Sequence, residues 1–121
     1  MAGKIIADTL EHSTAGSIAT NYVVSGTAKA WVNFDGTGTV AIRESFSTSS
    51  ITDIATGNYT VNFSQAMSDA DYSALVSSVL LLSGVNTSDQ VFSFTTGSVR
   101  VRHTENNAGT DTSIICVGIL R

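Results

Sequence analysis

Apolar side chains recur at every second position in one segment after another: Tyr59, Val61 and Phe63 against Thr60 and Asn62, Val40 and Ile42 against Ala41 and Arg43, Val99 and Val101 against Arg100 and Arg102. That period places the apolar residues on one face only in an extended strand, whose successive side chains point to opposite sides. The chain has no proline, so every residue can join a hydrogen-bonded ladder, and turns fall to Gly, Asn, Asp, Ser and Thr. Such clusters stand between the segments at Asp35-Gly36-Thr37-Gly38, Thr56-Gly57-Asn58, Ser83-Gly84-Val85-Asn86, Thr96-Gly97-Ser98 and Asn106-Asn107-Ala108-Gly109. Short strands punctuated in this way over 121 residues predict an all-β fold, a β-sandwich or jelly-roll-like single domain.

Three stretches depart from simple alternation. Residues 68–82 begin Ser68-Asp69-Ala70-Asp71, a helix-cap-like start, and place Tyr72, Leu75, Val76 and Val79 at helical spacing; the serines at 73, 77, 78 and 83 weigh towards a strand, and both readings stay open. Residues 112–120 alternate Ile115, Val117 and Ile119 with Ile114, Cys116, Gly118 and Leu120, so both faces are apolar and both need cover. Subunit contact is the expected second cover. Residues 1–26 carry a candidate strand over 4–10 and then the aperiodic Glu11-His12-Ser13-Thr14-Ala15-Gly16-Ser17. They read as an N-terminal arm ahead of a domain spanning 27–121, ordered only by pairing with a sheet edge or a neighbouring chain.

Six Lys and Arg against ten Asp and Glu give a net charge of -4, and only 13% of residues are charged, whereas 17 Ser and 16 Thr make a hydroxyl-rich surface. Nucleic-acid binding needs a basic stripe, and nothing beyond Arg100 and Arg102 builds one, so nucleic acid is not expected as a partner. The longest strongly apolar run, residues 79–82, is far too short to span a membrane, and Asp8 and Glu11 interrupt any signal-peptide core, so neither membrane insertion nor signal-peptide export is expected. The one cysteine, Cys116, has no intramolecular partner and reads as a small buried hydrophobe.

No catalytic, metal or cofactor motif stands out. His12 and His103 lie on different segments without ligand-spaced Cys or His, and His103 reads as a strand-end rim residue facing solvent or Glu105. Asp69 and Asp71 read as turn or cap residues, and Asp35-Gly36-Thr37-Gly38-Thr39 as a hairpin turn without the third glycine or Gly-Lys-Ser/Thr of a phosphate loop. An enzyme is therefore not expected. Trp31 shares its parity with Lys29 and Asn33 rather than with Ala30, Val32 and Phe34, so it points outward, either beneath the arm or a neighbouring subunit or open to a sugar or partner protein. With Ile114, Cys116 and Leu120 it makes the candidate subunit interface. The loops at residues 83–90 and 104–111 offer Asn86, Asp89, Asn106, Asn107 and Asp111, whose amides and carboxylates can bond sugar hydroxyls; the plain alternative is that they are solvated turns.

The stretch Thr27-Ala28-Lys29-Ala30-Trp31-Val32-Asn33-Phe34-Asp35-Gly36-Thr37-Gly38-Thr39-Val40-Ala41-Ile42-Arg43-Glu44-Ser45-Phe46 resembles a module of small virion proteins and fibre ends of tailed bacteriophages. The likeness continues through Ser50-Ile51-Thr52-Asp53, Thr56-Gly57-Asn58-Tyr59-Thr60-Val61-Asn62-Phe63 and Met67-Ser68-Asp69-Ala70-Asp71-Tyr72, and the opening Lys4-Ile5-Ile6-Ala7-Asp8-Thr9 is similar to the module's leading segment. It covers about residues 4–72. The resemblance implies a virion structural protein of tail-fibre or receptor-binding type, trimeric, located in the virion, with other virion proteins as partners and no catalytic residue; a host surface glycan is the partner that the loops at residues 83–90 and 104–111 would take. A capsid decoration protein clasping the major capsid protein through the arm is the alternative, and a free carbohydrate-binding module a third.

Overall fold

The computed structural model describes residues 3–79 and 83–121. The fold is all-β with antiparallel pairing throughout and one short helix. In chain order the elements are β1 (Thr9–His12), β2 (Gly16–Ala19), α1 (Thr20–Gly26), β3 (Ala28–Asp35), β4 (Ala41–Phe46), β5 (Thr48–Ala55), β6 (Asn58–Phe63), β7 (Ser73–Ser78), β8 (Thr87–Phe92), β9 (Ser98–Glu105), β10 (Ala108–Gly109) and β11 (Ile115–Leu120). A four-stranded sheet runs β4-β3-β11-β7, and a five-stranded sheet runs β10-β9-β6-β5 with β8 also on β9. Thr104 pairs with both Ser88 and Gly109, and Arg102 with both Gln90 and Asn58, so β8 lies along one edge of β9 while β6 and β10 share the other.

The alternation read from the sequence becomes burial. Ala30, Val32 and Phe34 of β3, Tyr59, Val61 and Phe63 of β6, Val99 and Val101 of β9, and Ile115, Val117 and Ile119 of β11 join in one buried cluster drawn from both sheets. The Phe34 and Tyr59 rings meet across it, 5.2 Å apart and nearly edge-on at 75°, the arrangement that aromatic quadrupoles favour. At one flank β4 runs into β5 through Ser47 alone, which takes the left-handed backbone (φ 53). At the other flank β7 and β8, from different sheets, are tied by Ser78 donating to Asp89 at 2.8 Å.

Turn chemistry follows the sequence signals. Asn106 and Asn107, with φ of 50 and 66, make the two-residue connection of β9 to β10. Gly57, with φ 69, turns β5 into β6, and a Cβ there would stand 2.4 Å from the His103 carbonyl oxygen. Asp35 closes β3 by accepting from the Thr37 amide and hydroxyl at 2.9 and 2.6 Å.

Several expectations are corrected. Residues 73–78 of the ambiguous segment are strand, not helix, and Asp69 accepts from the Asp71 amide in a turn; residues 80–82 lie outside the described residues. The C-terminal strand β11 is central in its sheet, bonded to β3 and β7. The strand expected over residues 4–10 lies at Thr9–His12 instead and forms a hairpin with β2, its turn held by His12 Nδ1 accepting from the Ala15 amide at 3.1 Å. Within the expected arm, α1 follows with no buried residue. Ile42 is 38% exposed because β4 is an edge strand, paired with β3 alone. Among the described residues no helix is long and apolar enough to cross a membrane.

Candidate functional site

Strand register decides what the outward face of the four-stranded sheet presents. Phe46 pairs with Trp31, Trp31 with Gly118, and Gly118 with Leu75, so the four lie in one row across all four strands. Directly paired residues share a face. Since Ala30, Val32, Ile119 and Val117 point into the core, this row points away from it. Phe46 is 56% exposed, Leu75 61% and Trp31 39%. Gly118 has no Cβ to fill the middle, and one added there would meet nothing within 4 Å. The result is a groove of about 350 Å³ between Trp31 and Leu75, floored by Gly118 and Cys116. The next row is Glu44, Asn33, Cys116 and Ser77, and Leu120 lies beyond on β11.

Trp31, Cys116 and Leu120 of the expected interface thus share one outward face, as their parity required, and Ile114, one residue before β11, is 36% exposed. Leu75 and Phe46 were missed. Their signal was present in phase: Leu75 alternates with Val76 on β7, and Phe46 with Ser45 on β4, but only the register shows that they join Trp31.

The expected recognition residues divide. Asn86, Asn106 and Asn107 are exposed and adjacent, the Asn106 amide donating to the Asn86 carbonyl at 2.7 Å. Asp89 is not a loop residue: it lies in β8, pairs with His103, and accepts from Ser78 at 2.8 and 3.0 Å. Asp111 is likewise engaged, its Oδ1 accepting from the Gly57 amide at 2.7 Å and the Tyr59 hydroxyl at 2.6 Å. Both carboxylates satisfy internal donors rather than face a ligand, because strand ends bring buried N–H and O–H groups to them.

His103 is not at a rim. Its side chain is 2% exposed, with Nδ1 at 2.8 Å from both Asp89 Oδ1 and Ser78 Oγ, and Nε2 3.8 Å from Glu105 Oε1. A nucleophile relay needs an acid hydrogen-bonded to the ring nitrogen opposite the serine, whereas here the carboxylate at hydrogen-bond distance, Asp89, shares Nδ1 with Ser78, and Glu105 Oε1 stands 3.8 Å from Nε2. The cluster therefore acts as a buried polar tie between β7, β8 and β9. Among the described residues no group of three or more His, Cys, Asp or Glu side chains is placed to hold a metal ion. The Asp69 carboxylate is engaged by Arg121, and that of Asp35 by Arg43 at 3.0 Å.

Comparison with family models, curated proteins and solved structures finds no match.

Proposed function

We propose that the chain is a structural protein of the bacteriophage virion, of tail-fibre or receptor-binding type, that works without catalysis. In this reading its two sheets form a β-sandwich, and three copies associate through the outward face of the four-stranded sheet. The observation that carries the reading is the Phe46-Trp31-Gly118-Leu75 row. Four strands align apolar side chains around an unfilled slot, on a surface otherwise rich in hydroxyls, and a contiguous exposed apolar patch of this kind marks an interaction surface. Its likeness to a phage virion module, carried by residues 27–46, supplies the setting. Asn86, Asn106 and Asn107 remain available at one end for a host surface glycan, while other virion proteins anchor the assembly.

A decoration role is favoured by a different observation: in the N-terminal segment Ile5, Ile6, Tyr22 and Val24 are 91%, 82%, 66% and 67% exposed, an apolar set suited to clasping a capsid subunit. Gold-labelled antibodies on intact particles separate the two. Label at the tail or fibres is the expected result, label spread over the capsid supports the decoration role, and unlabelled particles contradict both.

A further inference from the structure

The outward face of the five-stranded sheet differs from its counterpart in being polar and cationic. Register places Thr52, Thr60, Arg100 and Phe92 in one row across four strands, and Asn58, Arg102 and Gln90 in the next. These residues alternate with Val61, Val99, Val101 and Tyr59, which fill the core, so their side chains face away from it. No Asp or Glu occupies either row. In a chain of net charge -4, that leaves two arginines on a carboxylate-free surface.

Their state differs from that of the other arginines. Arg43 is paired with Asp35 and Arg121 with Asp69. Arg100 has no carboxylate: its guanidinium lies 5.2 Å over the Phe92 ring and donates to Asn58 Oδ1 at 3.4 Å, while its Nε is buried without a hydrogen-bond partner. Among the described residues the Arg102 guanidinium has neither an ion pair nor a hydrogen bond. A guanidinium without a carboxylate of its own keeps its accessible N–H groups for an incoming acceptor, and a carboxylate is the acceptor that fits its fork.

We propose that this face binds an acidic polysaccharide, the uronate carboxylates pairing with Arg100 and Arg102 and the ring hydroxyls with Thr52, Thr60, Asn58 and Gln90. This rests on the receptor-binding reading above and names the chemistry of the receptor. Two cations are too few to hold a duplex, whose binding scales with the phosphates neutralised. An acidic peptide adding as a strand needs a sheet edge, and β9 is central, bonded on both sides. A flat row of hydroxyls, amides and guanidinia suits a sugar chain, and several copies multiply weak contacts.

The test is retention of the full-length protein on immobilised polygalacturonate, with dextran as the neutral control. Retention on polygalacturonate alone is expected, weakening as salt rises. Arg100→Gln/Arg102→Gln should lower the affinity by about tenfold or more. Arg102→Gln, which removes no internal bond, should lower it severalfold with unchanged circular dichroism, and Arg43→Gln should leave it unaltered. Absence of retention, equal retention on dextran, unchanged retention of Arg102→Gln, or tighter binding to duplex DNA overturns the inference. Tail label on particles without polygalacturonate retention overturns it alone, whereas retention with capsid label sustains it and overturns the receptor-binding reading.

Discussion

Tyr59 ties the core to the turns that cap it. Its ring packs on Phe34, its hydroxyl donates to Asp111 at 2.6 Å and approaches the Gly36 carbonyl at 3.2 Å, and Asp111 in turn holds the Gly57 amide. Burial, then the Asp111 carboxylate, pushes the phenol far above its ordinary value of 10.0, so the folded state favours the neutral form. The unfolded chain loses this proton first as pH rises, so the stabilisation is complete below about pH 10 and is lost progressively above it. Tyr59→Phe should cost about 1 kcal/mol at neutral pH through the lost hydrogen bond, and should flatten the fall of melting temperature above pH 10. Thermal melts of both proteins from pH 7 to 11 check this. Side-chain direction was legible in such segments: Val61 is 1% exposed, while Asn62 faces outward and donates to Ser50 and Thr52 at 3.1 and 2.9 Å. Val61→Asp should abolish folding, since an unpaired charge would be buried, whereas Asn62→Asp should cost about 1 kcal/mol; similar melting of the two would contradict the register. Partnership was not legible. Nothing in the spacing of Ser78, Asp89 and His103 says that β7 and β8, from different sheets, will bring them within 2.8 Å.

At the scale of elements, the strands that bury one face were readable, and those that do not were the ones misplaced. β3, β6 and β9 alternate because one face of each supplies the buried cluster that both sheets share. β1, β2 and α1 carry no such period because none of their residues is buried, and hairpin pairing through backbone groups leaves little mark on side-chain choice. The centrality of β11 was hidden for the opposite reason. Its two apolar faces say nothing of which strands flank it, and only the register places Cys116 and Leu120 between β3 and β7 on the shared outward face. β1 and β2 form a sheet of their own, apart from the two that share the core. Removing residues 1–26 should therefore leave a β protein that melts cooperatively, with its circular dichroism retained for residues 27–121, but that no longer joins virions. Loss of the cooperative transition would make this segment part of the fold.

For the whole molecule, the two outward faces differ in kind. The face bearing Trp31 and Leu75 is apolar and slotted and is the one proposed to meet another copy, whereas the face bearing Arg100 and Arg102 is polar and would stay open in the proposed assembly. An outward apolar face was foreshadowed by the doubly apolar C-terminal strand and the outward Trp31, but its full extent needed the register that adds Phe46 and Leu75. Leu75→Asp should leave the fold intact, since this side chain is 61% exposed, and should separate the copies by placing a charge in the contact. Gly118→Leu should act in the same direction by filling the slot from below, where an added Cβ has nothing within 4 Å. The most direct measurement is the solution mass of the full-length protein at micromolar concentration by sedimentation velocity. Three times the 12.6 kDa chain mass is expected, falling to a single chain in Leu75→Asp with unchanged circular dichroism; a 12.6 kDa wild-type protein would contradict the account.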